Sequence, residues 1–359
     1  MSQIDALFGV LKEKKGSDLH LSPNHPPMAR VAGDLIPLAP NKLTHAENEA
    51  LLYEIMTEEQ KKAFEKTRDL DFAYEVAALQ ARFRANIFWG RLGISAVFRM
   101  IPTQILTAEQ LGLPPAVLKL LHFKKGLVLV TGATGSGKST TLAALIDQIN
   151  KTKKEHILTI EDPIEFVHTS QGCLVNQREV GRHTQSFSSA LRAALREDPD
   201  ILLVGEMRDL ETIELAITAA ETGHLVFGTL HTSSAAKTVD RIINVFPANQ
   251  QEQIRAMLAE SLKGIVTQNL LKTVDGKRCA ALEILFVTTA VSNLIREGKT
   301  FQIPSVIQTG KGEGMQLMDQ ALQALVTAKK VSVEEAHKFA MNKALFPLPA
   351  QGSPQVPHG

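Results

Sequence analysis

One stretch of the 359-residue chain has the residue types and spacing for phosphate chemistry: Gly132, Ala133, Thr134, Gly135, Ser136, Gly137, Lys138 and Ser139, which read G-x-x-x-x-G-K-S. Glycines let successive backbone N–H groups turn inward as an anion nest. A helix opening at the end of such a loop directs its positive pole at the phosphates. Lys138 can reach the β- and γ-oxygens of a nucleotide, and the Ser139 hydroxyl can hold Mg²⁺. The flanks suit these roles. Leu127-Val128-Leu129-Val130 is an apolar run fit for a strand buried on both faces. Leu142, Leu145, Ile146 and Ile149 recur at helical spacing after the loop. Guanine-specific phosphate-loop enzymes carry N-K-x-D; its absence here favours ATP.

Hydrolysis also requires a placed water and charge to meet the transition state. Val204-Gly205-Glu206 ends an apolar run, where Glu206 can orient or deprotonate water. A second strand end carries Glu161, Asp162 and Glu165, more acids than one water needs, so some must be structural. His231 follows the run Leu225 to Leu230 at its carboxyl end, where ligands bind, which suits a γ-phosphate sensor or a relay to another subunit. His224 stands at the amino end, and a lone histidine is more often a satisfied structural residue. The loop supplies a single cation. Arg82, Arg84, Arg91 and Arg99 lie on or beside strand patterns earlier in the chain, either as a solvated strand face or as arginines reaching a nucleotide across a boundary.

The elements that would position these groups divide the chain. Residues 1–102 read as an α+β domain. It opens with a helix over residues 4–14, and the pairs Thr44/Glu47 and Thr57/Gln60 form capping boxes. Phe83, Ala85 and Ile87 alternate with Arg82, Arg84 and Asn86 as in a half-buried strand. Residues 103–115, with Gly112, Pro114 and Pro115, read as a linker. Strands and helices alternate over residues 116–275, which predicts a mostly parallel sheet covered on both faces. Residues 276–345 read as a mostly helical extension, and 346–359 as a proline-rich disordered tail.

Composition narrows the class. With 39 basic and 38 acidic residues the formal charge is +1, which offers no net drive toward nucleic acid or an anionic membrane. The two cysteines, Cys173 and Cys279, form no C-x-x-C and point to neither a zinc site nor a disulfide framework. The first residues lack the basic and apolar regions of a signal peptide, and no apolar run reaches the about 20 residues of a membrane helix. A soluble, cytoplasmic protein without direct membrane insertion is expected, any membrane role passing through partners.

These residues match a known pattern. The chain resembles the type IV pilus retraction ATPases, the PilT type, of the secretion and traffic ATPase superfamily. The resemblance runs over about residues 1–345. Ser17-Asp18-Leu19-His20-Leu21 with Pro26, Pro27 and Gly33 is similar to the family's N-terminal signature. Residues 132–141 resemble its Walker A, with Ala133 where proline is usual; Thr140 belongs to this nucleotide-binding set. Residues 159–166 resemble its aspartate box, 195–209 its Walker B region and 218–234 its histidine box.

The resemblance implies a PAS-like N-terminal domain and a RecA-like P-loop ATPase domain in a homohexameric ring. It implies that Glu206 is the catalytic glutamate, supported by Glu165, and it assigns His224 and His231 to the site. It implies that first-domain arginines complete the site, with Arg84 and Arg99 as the choices. The implied activity is ATP hydrolysis with Mg²⁺, powering pilus retraction and twitching motility through an inner-membrane platform protein, with paralogous pilus ATPases as further partners. The protein would be peripheral at the inner membrane. Absence of a tetracysteine zinc site favours retraction over assembly. The family's A-I-R-N-L-I-R-E segment stands here as Ala290-Val291-Ser292-Asn293-Leu294-Ile295-Arg296-Glu297, with Ser292 in place of an arginine, while Gly314-Met315-Gln316 matches. The alternatives are an assembly, secretion or accessory retraction motor of the same superfamily, a nucleotide-sensing scaffold, and a nucleic-acid translocase.

Overall fold

The computed structural model describes residues 2–31, 33–101 and 104–348. The chain forms two compact units divided after Gln104, with Pro163–Val167 grouped with the first.

The first unit is built on six strands: β1 (Asp18–Leu21), β2 (Met28–Val31), β3 (Asp34–Pro37), β4 (Asp69–Val76), β5 (Ala81–Gly90) and β6 (Gly93–Ile101). They form an antiparallel sheet in the order β3-β2-β1-β6-β5-β4. The alternation of β5 turns Phe83, Ala85 and Ile87 inward, where helix Gln3–Glu13 covers them. Phe8 of that helix stacks on Phe83 with ring centroids 4.0 Å apart and meets Phe98 edge-on at 5.1 Å. Both expected capping boxes form, at the starts of helices His45–Glu54 and Glu58–Thr67. The opposite sheet face is charged. Arg84 lies directly across from Arg99, and Arg99 directly across from Asp18. Arg99 Nε donates to Asp18 Oδ1 at 2.9 Å, and Arg84 lies 3.7 Å from Asp71.

The second unit holds seven strands: β7 (Gly126–Thr131), β8 (His156–Glu161), β9 (Leu174–Glu179), β10 (Ile201–Val204), β11 (Leu225–Leu230), β12 (Leu262–Lys272) and β13 (Arg278–Phe286). Their order is β13-β12-β7-β11-β10-β8-β9, parallel except for the β12–β13 hairpin. β7, β10 and β11 are buried at every residue, including Thr131 and Thr229, as central strands covered on both faces are. One apolar layer gathers Leu127 and Leu129 with helices Leu210–Glu221 and Gln251–Ser261; the other gathers Val128 and Val130 with helix Lys138–Thr152.

Several boundaries differ from the sequence reading. The segment expected as a helical extension from residue 276 opens instead with β13, and β12 precedes it. Buried polar residues obscure both strands in the sequence. Thr267 and Gln268 interrupt β12, and Glu283 interrupts β13. Each finds a distant partner: the Thr267 hydroxyl lies 2.8 Å from that of Thr131, and Glu283 accepts the Ala235 N–H at 2.7 Å. Ala235 opens helix Ala235–Asn244. Residues 105–115, expected as a linker, pack on the second unit through Ala108 and Leu113, while Pro102 and Thr103 lie outside the described residues. Phe346, expected at the start of the tail, is buried against helices Met318–Thr327 and Val333–Phe339. Residues 349–359 lie outside the described residues. Ser292 donates to the Ala259 carbonyl at 2.8 Å, near the end of helix Gln251–Ser261. Among the described residues no helix is long and apolar enough to cross a membrane.

Because Phe83 is fully buried and stacked, Phe83→Ala should cost about 3–5 kcal/mol of first-unit stability. Denaturant unfolding should show the earliest transition at a clearly lower midpoint, and an unmoved midpoint would contradict this packing.

Candidate active site

β7 is flanked by β11 and β12, both parallel to it, so its carboxyl end is held from two sides. The chain leaves that end directly into the glycine-rich loop. Gly137 takes φ +88° as the N-cap of helix Lys138–Thr152, a left-handed conformation that glycine adopts without strain. The helix therefore begins with its free N–H groups facing the loop's concavity. Ser139 and Thr140, in its first turn, are half-buried. Lys138 is only 9% exposed, and its ammonium donates to the carbonyls of Gly132 at 2.9 Å and Ala133 at 3.1 Å. The Ser136 hydroxyl is buried with no hydrogen-bond partner. An ammonium curled onto its own loop and an orphaned hydroxyl in a glycine-lined nest suit a phosphate group.

Glu206 lies just beyond β10. Its backbone neighbours are pinned: Gly205 N–H donates to Ile160 at 2.8 Å, Met207 N–H to Thr229 at 3.1 Å, and the Thr229 hydroxyl to Gly205 at 2.5 Å. Arg208 grips the carboxylate at both oxygens, each at 2.6 Å. His231 Nε2 lies 3.1 Å from Glu206 Oε1, and its Nδ1 lies 3.4 Å from the Thr134 hydroxyl. With Nε2 protonated, the imidazole donates to Glu206 while Nδ1 can accept from Thr134. His231 thus joins the phosphate loop to the acid.

Burial raises the Glu206 pKa, but the Arg208 hydrogen bond and charge outweigh it. His231 and Lys138 add to that pull, and the net result lies below the ordinary glutamate value. The influence of Lys138 means that the loop's cation and this acid share one electrostatic environment.

The other residues singled out from sequence are distributed as follows. Glu161 accepts from Thr159 at 2.7 Å and Gln177 at 3.1 Å, a structural engagement. Asp162 contributes a favourable charge to Arg208. Glu165 belongs to the segment Pro163–Val167 grouped with the first unit, and Arg84 and Arg99 lie in that unit itself. His224 sits at the amino end of β11, where its N–H and Nδ1 both engage the Ala219 carbonyl, at 3.1 and 2.9 Å. A six-residue strand separates it from His231, a span of roughly 20 Å. The geometry therefore gathers Lys138, Thr134, Glu206 and His231, and leaves His224 apart from them within one chain.

Two residues at this site escaped the sequence reading. Arg208 carried a signal, being a cation two positions after a candidate catalytic acid. Gln268 carried none locally, since it sits in the middle of a strand and contacts the loop from 132 residues downstream of Ser136.

Removing Arg208 should leave burial as the leading influence on Glu206. In Arg208→Ala the acid limb of the pH profile for kcat/KM should therefore move to higher pH, because the carboxylate stays protonated further up the scale. A limb that stays put or moves down would exclude Arg208 as the group that lowers this pKa.

Comparison with known proteins identifies the family. The family described as "Type II/IV secretion system protein" matches residues 3–344. The chain is 55% identical over 337 residues to the type IV pilus retraction ATPase PilT of Pseudomonas aeruginosa, covering 94% of this chain and 98% of that protein. It is 54% identical over 317 residues to a twitching motility protein of Neisseria gonorrhoeae, covering 88% of this chain and 84% of that one. A crystal structure of the pilus retraction motor PilT with bound ADP aligns with a TM-score of 0.89 at 46% identity, covering 96% and 98% of the two chains. With a family match across nearly the whole chain and a loop, acid and histidine arranged for nucleotide chemistry, the chain belongs to the type II/IV secretion system protein family, among its PilT-type ATPases.

Proposed function

We propose that this ATPase is the motor of type IV pilus retraction, working as a homohexameric ring on an inner-membrane platform protein and peripheral to that membrane from the cytoplasmic side. The observation that carries the catalytic reading is the convergence of Lys138 and Glu206 on one space, joined through His231 and Thr134. Lys138 exchanges the carbonyls of Gly132 and Ala133 for phosphate oxygens of ATP. The N–H groups of Gly135, Gly137, Lys138 and Ser139 cradle the phosphates, while those of Gly132 and Ser136 are held by the carbonyls of Leu230 and Ala133. Ser139 would hold Mg²⁺ together with the nucleotide. Among the described residues no group of three or more histidine, cysteine, aspartate and glutamate side chains is placed to hold a metal, so the ion would come with the nucleotide phosphates. When bound, Mg²⁺ neutralises charge on their oxygens.

Glu206 releases Arg208 and orients the attacking water, accepting its proton as oxygen bonds to the γ-phosphorus and the bond to the bridging oxygen of ADP breaks. His231 reports the state of the γ-position to Thr134 and Glu206. In the ring, Arg84 and Arg99 supply further cations to the nucleotide site, with Glu165 and His224 supporting it. Likeness to a protein named as a retraction ATPase and to one named for twitching motility supports the direction of force.

Lys138→Ala should show no saturable binding of a fluorescent ATP analogue. Glu206→Gln should bind it within a few-fold of the parent while steady-state phosphate release falls by roughly a hundredfold or more. Undiminished release by the glutamine variant would remove Glu206 from the catalytic role. In cells, deleting the gene should leave pili in place but abolish twitching, and the parent chain but not Glu206→Gln should restore it. Bald cells would reassign the motor to assembly.

A further inference from the structure

Gln268 belongs to β12, one residue beyond Thr267, the last residue of that strand in register with β7. It therefore lies beside the phosphate loop itself. Its side chain is buried, at 2% exposure, and both ends of the amide are engaged. Nε2 donates to the Ser136 carbonyl at 2.7 Å, and Oε1 accepts the Thr141 hydroxyl at 2.7 Å. Ser136 belongs to the crown of the loop, and Thr141 to the first turn of helix Lys138–Thr152. The backbone approaches as closely as the side chain. A Cβ at Gly132 would lie 2.3 Å from the Gln268 carbonyl oxygen, and one at Gly137 would lie 2.8 Å from Nε2. Two of the glycines that define the loop are thus adjacent to this residue.

The contacts fix where the loop's donors point. Pulling the Ser136 carbonyl toward Gln268 turns the peptide so that the following N–H, that of Gly137, faces away from Gln268, because carbonyl and N–H of one peptide are antiparallel. Tying Thr141 to the same amide holds the start of the helix in register with that peptide. Few side chains can do both. A carboxylate cannot donate to Ser136, a thioether cannot replace either bond, and asparagine is a methylene short.

We propose that Gln268 is a positioning residue for nucleotide binding, which holds the phosphate loop with its N–H groups converged before the nucleotide arrives. The proposal rests on the reading of residues 132–140 as the nucleotide site. Gln268 need not touch phosphate for this; it shapes the nest through Ser136 and Thr141.

The test uses the full-length protein, with ADP as the probe. Gln268→Met keeps much of the volume and removes both bonds. Its dissociation constant for ADP should rise roughly tenfold, the scale of one or two buried hydrogen bonds. KM for ATP should rise more than kcat falls. The melting temperature without nucleotide should fall by a few degrees, because the Ser136 carbonyl and Thr141 hydroxyl lose buried partners, and the rise brought by a fixed ADP concentration should shrink as well. Thr141→Val should weaken ADP binding less, Thr141→Ser should restore it, and Thr141→Val combined with Gln268→Met should lose little beyond Gln268→Met alone.

Parental affinity and KM in Gln268→Met would overturn the proposal. So would a lowered melting temperature with the full ADP-induced rise retained, since that is a brace for the fold alone. If Gln268→Met fails to fold, the Thr141 pair decides: equal ADP affinity in Thr141→Val and Thr141→Ser would overturn it, and weaker binding by valine alone would support it. The parent and Lys138→Ala test the underlying reading separately. ADP that fails to bind the parent, or binds Lys138→Ala equally well, sinks the nucleotide-site assignment and this proposal with it. Normal binding by the parent, lost in Lys138→Ala and unaffected in Gln268→Met, sinks only the role of Gln268.

Discussion

Burying an ammonium is among the costlier things a fold can do, and this chain does it at Lys138. The charge is tolerated because the loop before it bends two carbonyls, those of Gly132 and Ala133, onto the amine. That bend needs a fixed strand end and glycine at the turns. The fixed end comes from β7 lying between two parallel neighbours, and the neighbours are set by apolar layers on both faces of the sheet. The carbonyl contacts that stabilise the amine are also ones that phosphate oxygens can replace at little cost, since both partners are hydrogen-bond acceptors with negative charge density.

The acid beside it is in a different condition. Arg208 lowers the Glu206 pKa and holds both carboxylate oxygens. Glu206 is thus ionised at neutral pH yet engaged. On the proposed role of Glu206, the position of an arginine separates this state from one that activates water, because the acid is already deprotonated. Arg208 is largely exposed on the side chain, so a change in its surroundings can shift that contact without disturbing the core.

What was legible in the sequence follows from how local each signal is. The phosphate loop, the strand end bearing Glu206 and the capping boxes at Thr44 and Thr57 are each specified within a few residues, and all three take the expected local form. The alternation in β5 likewise separated the buried Phe83, Ala85 and Ile87 from Arg84. β12 and β13 were not legible as strands. Their polar residues look like interruptions until their partners are known, and those partners lie 136 residues away for Thr267 and 48 for Glu283. The same reasoning covers Gln268, whose hydrogen bonds join it to residues more than a hundred positions earlier. Arg84 and Arg99 were recognisable as strand-face cations, but their direct opposition depends on the β5–β6 register, which alternation alone leaves open.

β13 is the outermost strand on its side of the sheet, and an open strand edge invites pairing with other chains. Part of that edge is already occupied: Ile284 and Gln316 exchange backbone hydrogen bonds at 2.8 and 3.0 Å, and the Gln316 amide donates to Leu282 at 2.8 Å. The short segment before helix Met318–Thr327 thus serves as a cover for the sheet as well as a lead into the last helices. A chain cut short before residue 316 would carry its nucleotide loop intact and still expose β13 as a template for aggregation.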